Sequence, residues 1–124
     1  MTVEVAPAHL VGVGGALGAV LRHAVSQRVD AGEFPAGTLV VNVVGSFVLG
    51  LVTVLGAEGG VVLFVGTGVC GSFTTFSSFS VETVRLWETG KRRRAFVNAA
   101  ANLAGAVAAV GLAWVLVRTL ETVA

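Results

Sequence analysis

The chain has 124 residues, 55% of them hydrophobic and 12% charged, with 17 glycines, two prolines, one cysteine and a formal net charge of +1. An ordinary soluble domain carries about 25% charged residues, and here the charges leave four uncharged runs, at residues 5–21, 34–57, 59–81 and 95–117. A bilayer-spanning helix needs roughly 17–25 mainly apolar residues, so four such runs exclude a soluble enzyme, a disordered chain and a disulfide-stapled secreted module, and leave a small polytopic membrane protein.

In lipid each segment must satisfy its own backbone hydrogen bonds, so all four predicted elements are helices. Ahead of the first, Met1, Thr2, Val3 and Glu4 lack the basic start of a signal peptide. The apolar run that follows holds Arg22 in place of a small-residue cleavage site, so the segment is expected to stay in the mature protein. It runs from about Leu10 to Val29 and carries Gly14-x-x-x-Gly18, a spacing that lets backbones approach closely, either inside one bundle or between subunits. Arg22 reads as an interfacial side chain that snorkels to water or as a fixed charge attracting an anion. His9 and His23 have no positioned partners and suggest no catalysis.

A loop with Asp30, Gly32, Glu33 and Pro35 leads to segment two, Thr38 to Ala57, which holds Asn42 between two valines and the small residues Gly45, Ser46 and Gly50. A polar side chain at membrane depth faces a partner, a cavity or a pathway, so Asn42 either glues two helices together or lines a route. After the short turn Glu58-Gly59-Gly60 comes segment three, Val61 to Trp87. Gly66, Gly68 and Gly71 followed by the hydroxyl run Thr74, Thr75, Ser77, Ser78 and Ser80 make poor continuous helix, and a break is expected near Gly71 to Thr74. Unwound backbone is tolerated at that depth only where it is buried in protein or lines a cavity, and its freed carbonyls are hard oxygen ligands suited to a monovalent cation. Beyond the break, Phe76 and Phe79 share one face. Phenyl edges are positive, so together with neighbouring hydroxyls they could hold a small dehydrated anion; the alternative is an aromatic packing pair with hydroxyls bonded back to their own helix. Cys70 has no partner for a disulfide or a metal.

A third loop, Glu88 to Arg94, contains the basic cluster Lys91, Arg92, Arg93 and Arg94 and precedes segment four, Ala95 to Arg118, where Asn98 and Asn102 lie four apart among alanines, glycines and valines. Loops one and three share a side, carrying Arg22, Arg28, Arg85, Lys91, Arg92, Arg93 and Arg94 against Arg118 alone on the other. The positive-inside rule therefore puts these loops in the cytoplasm and both termini outside. Four helices make a thin bundle with little interior for polar groups, so oligomerisation is expected.

The stretch Gly71-Ser-Phe-Thr-Thr-Phe-Ser-Ser-Phe-Ser80, with Glu82 after it, closely resembles the signature of the Fluc/CrcB fluoride channel family. Gly37-Thr-Leu-Val-Val-Asn42-Val-Val-Gly45-Ser-Phe-Val-Leu-Gly50 looks like the second-helix pattern of that family, and Gly15-Ala-Leu-Gly-Ala-Val-Leu-Arg22 like its first. The resemblance implies an all-α membrane protein of four transmembrane helices with a broken third helix, forming an antiparallel dimer with two fluoride pores along its interface and a structural sodium ion at its centre. It implies sodium ligation by the backbone carbonyls of Gly71 and Thr74. For the fluoride pore it implies the ring edges of Phe76 and Phe79, the amide of Asn42 and the hydroxyls of Ser77, Ser78 and Ser80. It places Thr38 and Glu82 toward the pore ends and Arg22 at the vestibule. The activity implied is passive export of cytoplasmic fluoride across the cell membrane.

Segment four departs from that pattern: family members often carry a tyrosine and serines there, whereas this chain has no tyrosine. The seven-to-one charge bias should also fix a single orientation, which favours a heterodimer with an oppositely oriented CrcB paralogue over an antiparallel homodimer. Two alternatives have the right size. A small dual-topology multidrug or proton-coupled exporter needs a membrane-embedded carboxylate, and segment one has none. A non-transporting assembly subunit explains the glycines but not the pattern of phenylalanines and hydroxyls.

Overall fold

The computed structural model describes residues 5–29 and 32–124; the readings made above for Met1 to Glu4 and for Asp30 lie outside these residues. Four helical stretches are long and apolar enough to cross a membrane, and among the described residues there is no β-strand. Helix α1 spans Pro7–Arg28 and α2 spans Ala36–Val54. The third stretch is composite, with a π-helical segment Val62–Cys70, one α-helical turn α3 (Gly71–Phe73) and helix α4 (Phe76–Glu88). The chain closes with α5, Arg92–Val123.

Helix ends differ from the predicted spans for local reasons. Pro7 starts α1 three residues early, at a position where its fixed φ and missing N–H suit a first helical turn. Both α2 and α4 stop in Schellman geometry. Gly56 (φ +67) donates to the Thr53 carbonyl while Ala57 N–H reaches Val52, and Gly90 (φ +81) and Lys91 make the same pair of bonds to Trp87 and Leu86. A left-handed residue is cheap only for glycine, so Gly56 ends α2 at Val54 instead of Ala57. Helix α5 extends past both ends of the predicted segment; at 1.5 Å per residue its 32 residues measure about 48 Å, longer than the roughly 30 Å hydrocarbon core, so its charged ends reach beyond the apolar slab.

Small residues set the packing. A Cβ built on Gly14 would lie 2.4 Å from the Phe64 carbonyl oxygen, and one on Gly18 2.2 Å from that of Val69, so α1 sits backbone to backbone against the π-helical segment. The Gly14-x-x-x-Gly18 pattern thus works inside the subunit. A Cβ on Gly50 would lie 3.0 Å from the Ala113 methyl group and 3.3 Å from Val110 Cα, a looser approach that joins α2 to α5. The interior is thin: Val41, Ala113 and Asn98 are fully buried, whereas Leu17, Val20, Leu103 and Val107 project outward. Such an exterior is natural against lipid tails or another helical surface and costly against water.

Candidate pore site

The site is built around two residues. Thr74 (φ −81, ψ 159) and Thr75 (φ −152, ψ 116) are extended, so α3 and α4 are not joined by helical backbone. Each donor and acceptor released there must find another partner at this depth. Asn42 of α2 supplies two: its Oδ1 accepts from Thr75 N–H at 2.8 Å and its Nδ2 donates to the Thr75 carbonyl at 3.2 Å, as a neighbouring strand would. The Thr75 hydroxyl accepts from Ser78 N–H at 3.1 Å and caps α4. Thr74 bonds back to the Cys70 carbonyl through both its N–H (3.0 Å) and its hydroxyl (2.9 Å). Its methyl group occupies the space where a side chain on Gly45 would begin, 2.3 Å from an ideal Cβ. A bare backbone at position 45 is therefore a condition for this arrangement.

These substitutions leave particular carbonyls without their helical donors. In a continuous α-helix the Gly71 carbonyl would receive Thr75 N–H, which here goes to Asn42, and the Thr74 carbonyl would receive Ser78 N–H, which here goes to the Thr75 hydroxyl.

Phe76 and Phe79 begin α4 with ring centroids 5.7 Å apart and planes inclined at 48°. They border an open groove of about 400 Å³ whose walls include Asn42, Gly45, Thr74, Thr75 and Asn102. Phe76 stands 80% exposed, its ring turned out of the subunit. The hydroxyls divide. Ser77 Oγ lies 3.3 Å from Thr75 Oγ1, Ser80 donates to the Phe76 carbonyl at 2.9 Å within its own helix, and no hydrogen bond engages the half-buried Ser78 hydroxyl among the described residues. Further along α4, Glu82 Oε1 accepts from Thr38 Oγ1 at 2.9 Å, while its Oε2 is buried with no hydrogen-bond partner among the described residues. Arg22 is half-buried on α1, with no ion pair or side-chain hydrogen bond among the described residues.

Helix α5 contributes Asn98 and Asn102, for which the sequence, as for Asn42, leaves open a bond between helices or a place along a pathway. Asn42 Nδ2 donates to Asn102 Oδ1 at 2.9 Å, Asn102 Nδ2 to Asn98 Oδ1 at 3.0 Å, Asn98 Nδ2 to Thr83 Oγ1 at 2.9 Å, and Thr83 Oγ1 to the Phe79 carbonyl at 2.7 Å. Asn98 is wholly buried and Asn102 nearly so. The i, i+4 asparagine pair in an uncharged span was the available signal; nothing in the sequence singled out Thr83.

Loops one and three lie at one end of the bundle. Glu33 pairs with Lys91 and with Arg94, the latter at 2.5 Å, and these two cations hold its exposed carboxyl below the usual carboxylate range. Arg92 stacks over the Trp87 ring at 5.0 Å.

A family model described as CrcB-like protein, Camphor Resistance (CrcB), matches residues 9–114. The chain is 60% identical over 111 residues to a protein of Haloarcula marismortui named fluoride-specific ion channel FluC 2, covering 90% of this chain and 93% of that one. It is 55% identical over 118 residues to fluoride-specific ion channel FluC 1 of Halobacterium salinarum (94% and 99% covered), and 44% identical over 118 residues to fluoride-specific ion channel FluC of Mesorhizobium japonicum (90% and 95%).

Proposed function

Since the chain belongs to the CrcB family, whose members are named as fluoride-specific ion channels and not as enzymes, we propose that it is itself a passive, fluoride-selective channel that exports cytoplasmic fluoride. The observation that carries this reading is the Phe76–Phe79 pair, set beside hydroxyls at the non-helical Thr74–Thr75 step and bordering an open groove. Fluoride is small and strongly hydrated, so a route through lipid must replace its water. Positive ring edges and hydroxyl donors do so without a fixed cation that would trap the ion. Phe76 and Phe79 face the ion, with Asn42, Ser77, Ser78 and Ser80 in the pore wall, Thr38 and Glu82 toward its ends, and Arg22 in the vestibule attracting anions. The channel needs no coupled energy source. Hydrogen fluoride enters as a neutral molecule and dissociates inside, and the membrane potential, about 2.3 kcal/mol per charge per 100 mV, drives the anion out.

A groove open along one face and an outward ring at Phe76 are what a half-pore presents, and they support an antiparallel dimer in which a second subunit completes the wall. The Gly71 and Thr74 carbonyls, relieved of their helical donors by Asn42 and Thr75, fit a monovalent cation that accepts hard oxygen ligands. The described residues hold no cluster of three or more His, Cys, Asp or Glu side chains for a transition metal. Sodium bound there would supply a fixed positive charge joining two such turns. Charge bias favours a partner of opposite orientation, a heterodimer with a CrcB paralogue, with loops one and three cytoplasmic and both termini outside the plasma membrane. The Glu33 bridge to Lys91 and Arg94 puts both loops at one end of the bundle, as that orientation requires.

The test is efflux from liposomes carrying the purified protein, alone and with a paralogue, recorded for fluoride and for chloride. Fluoride release far faster than chloride release, lost in Phe76→Ile, supports the reading. Equal passage of both ions, or flux that survives Phe76→Ile unchanged, rejects it. Reporter fusions at the C-terminus address the dimer separately, since equal populations on both membrane faces would contradict a fixed orientation.

A further inference from the structure

Asn42 has two amide N–H groups, and both are engaged inside the subunit, one by the Thr75 carbonyl and one by Asn102 Oδ1, while its oxygen accepts Thr75 N–H. In this arrangement both of its donors are committed within the subunit. From this residue the bonds run in one direction, each group donating to the next, through Asn102, Asn98 and Thr83 to the carbonyl of Phe79. Both ends of the path therefore fall on one short piece of backbone: it leaves from Thr75, next to Phe76, and returns at Phe79. Side chains from α2, α4 and α5 thus close a circuit on the backbone that carries the two phenylalanines.

Resting on the channel reading above, we infer that Asn98, Asn102 and Thr83 are positioning residues for the phenylalanine pair, held to it through Asn42 as the first link of a closed hydrogen-bonded circuit. Three features favour a positioning role over general helix adhesion. The path ends on main-chain atoms that flank the rings instead of on unrelated side chains. Asn98 and Asn102 are buried and Asn42 and Thr83 half-buried, where an unpaired amide is expensive. It also uses α5, the helix in which the hydroxyl-bearing residues expected by resemblance are missing, and the polar atoms present there are bonded on to the backbone of Phe79 through Thr83.

Thr83→Val keeps the shape of the side chain and removes the bond from Asn98 and the bond to Phe79, whereas Thr83→Ser keeps both. Asn98→Ser breaks the same link from α5 and serves equally if Thr83→Val does not fold. Protein uniformly carrying 4-fluorophenylalanine reports each of its seven phenylalanines by ¹⁹F NMR in detergent, with Phe34→Leu, Phe47→Leu, Phe76→Leu and Phe79→Leu assigning four of the signals. The expected result is that the Phe76 and Phe79 signals shift or broaden in Thr83→Val and in Asn98→Ser, stay at their parental positions in Thr83→Ser, and leave the Phe34 and Phe47 signals unmoved in every variant. In liposomes, the fluoride-over-chloride efflux ratio should fall about tenfold in Thr83→Val, equivalent to about 1.4 kcal/mol between the two barriers, and stay within about twofold in Thr83→Ser. Unmoved Phe76 and Phe79 signals in Thr83→Val and Asn98→Ser would overturn the inference whether or not the protein conducts. Absence of fluoride flux in the parent with the signals moving as expected would overturn the channel reading alone.

Discussion

Replacing Gly45 by alanine adds one methyl group at the point where α2 meets the non-helical step. The new Cβ would lie 2.3 Å from Thr74 Cγ2 and 3.3 Å from Phe73 Cδ1, against a comfortable carbon–carbon separation of about 3.5–4.0 Å. Relief requires a movement of more than about 1 Å, and Thr74 is not free to make it. Both its N–H and its hydroxyl are bonded to the Cys70 carbonyl, and turning the side chain to clear α2 breaks the second of these. Overpacking of this kind costs about 1–3 kcal/mol, with about 1 kcal/mol more for the lost hydrogen bond. Gly45→Ala is therefore expected to lower the melting midpoint of the detergent-solubilised protein and to reduce fluoride efflux from liposomes severalfold or more, because any shift of Thr74 is passed to Phe76 two residues on. Gly12→Ala is the matched control, since a Cβ there meets nothing within 4 Å and alanine is the better helix former by about 1 kcal/mol. Parental melting and flux in Gly45→Ala would refute the reasoning.

Asn42→Asp keeps an acceptor for Thr75 N–H but turns both donating contacts, to the Thr75 carbonyl and to Asn102 Oδ1, into oxygen facing oxygen. Each unpaired acceptor costs about 1–3 kcal/mol, and fluoride flux should be abolished with a marked loss of melting temperature. Thr75→Val removes the cap that accepts from Ser78 N–H and should cost about 0.5–2 kcal/mol, whereas Thr75→Ser should melt within a degree or two of the parent. The carboxyl of Glu33 is held below its ordinary range by Lys91 and Arg94, so the stability it adds is present above the usual carboxylate pKa and is lost as the pH falls through its lowered value. Being exposed, the pair contributes little. Melting midpoints of the parent and Glu33→Gln should differ slightly at neutral pH and converge in acid, and a gap that widens in acid would contradict this account.

Much of the site was legible because its residues break local rules. Glycines and hydroxyls where a membrane helix wants leucine marked the third segment, and the spacing of Phe76 and Phe79 put their rings on one face. The rest depends on contacts across the bundle. Gly45 reads as one small residue among several until Thr74 is seen against it. Thr83 looks like an ordinary hydroxyl bonded back along its own helix, and its second bond, from Asn98, exists only because α4 and α5 lie side by side. Gly14 and Gly18 showed the opposite limit: their spacing announced close packing, but not whether the opposing surface belonged to the same chain.

Composition and charge placement determined that this protein is a four-helix membrane protein, since an apolar run long enough to cross lipid has few other stable states when every backbone group must bond within its own segment. Tertiary structure decided which polar atoms meet. A buried amide must find partners wherever neighbouring helices present them, and those partners lie 33 and 60 residues from Asn42 along the chain, beyond the reach of any local pattern.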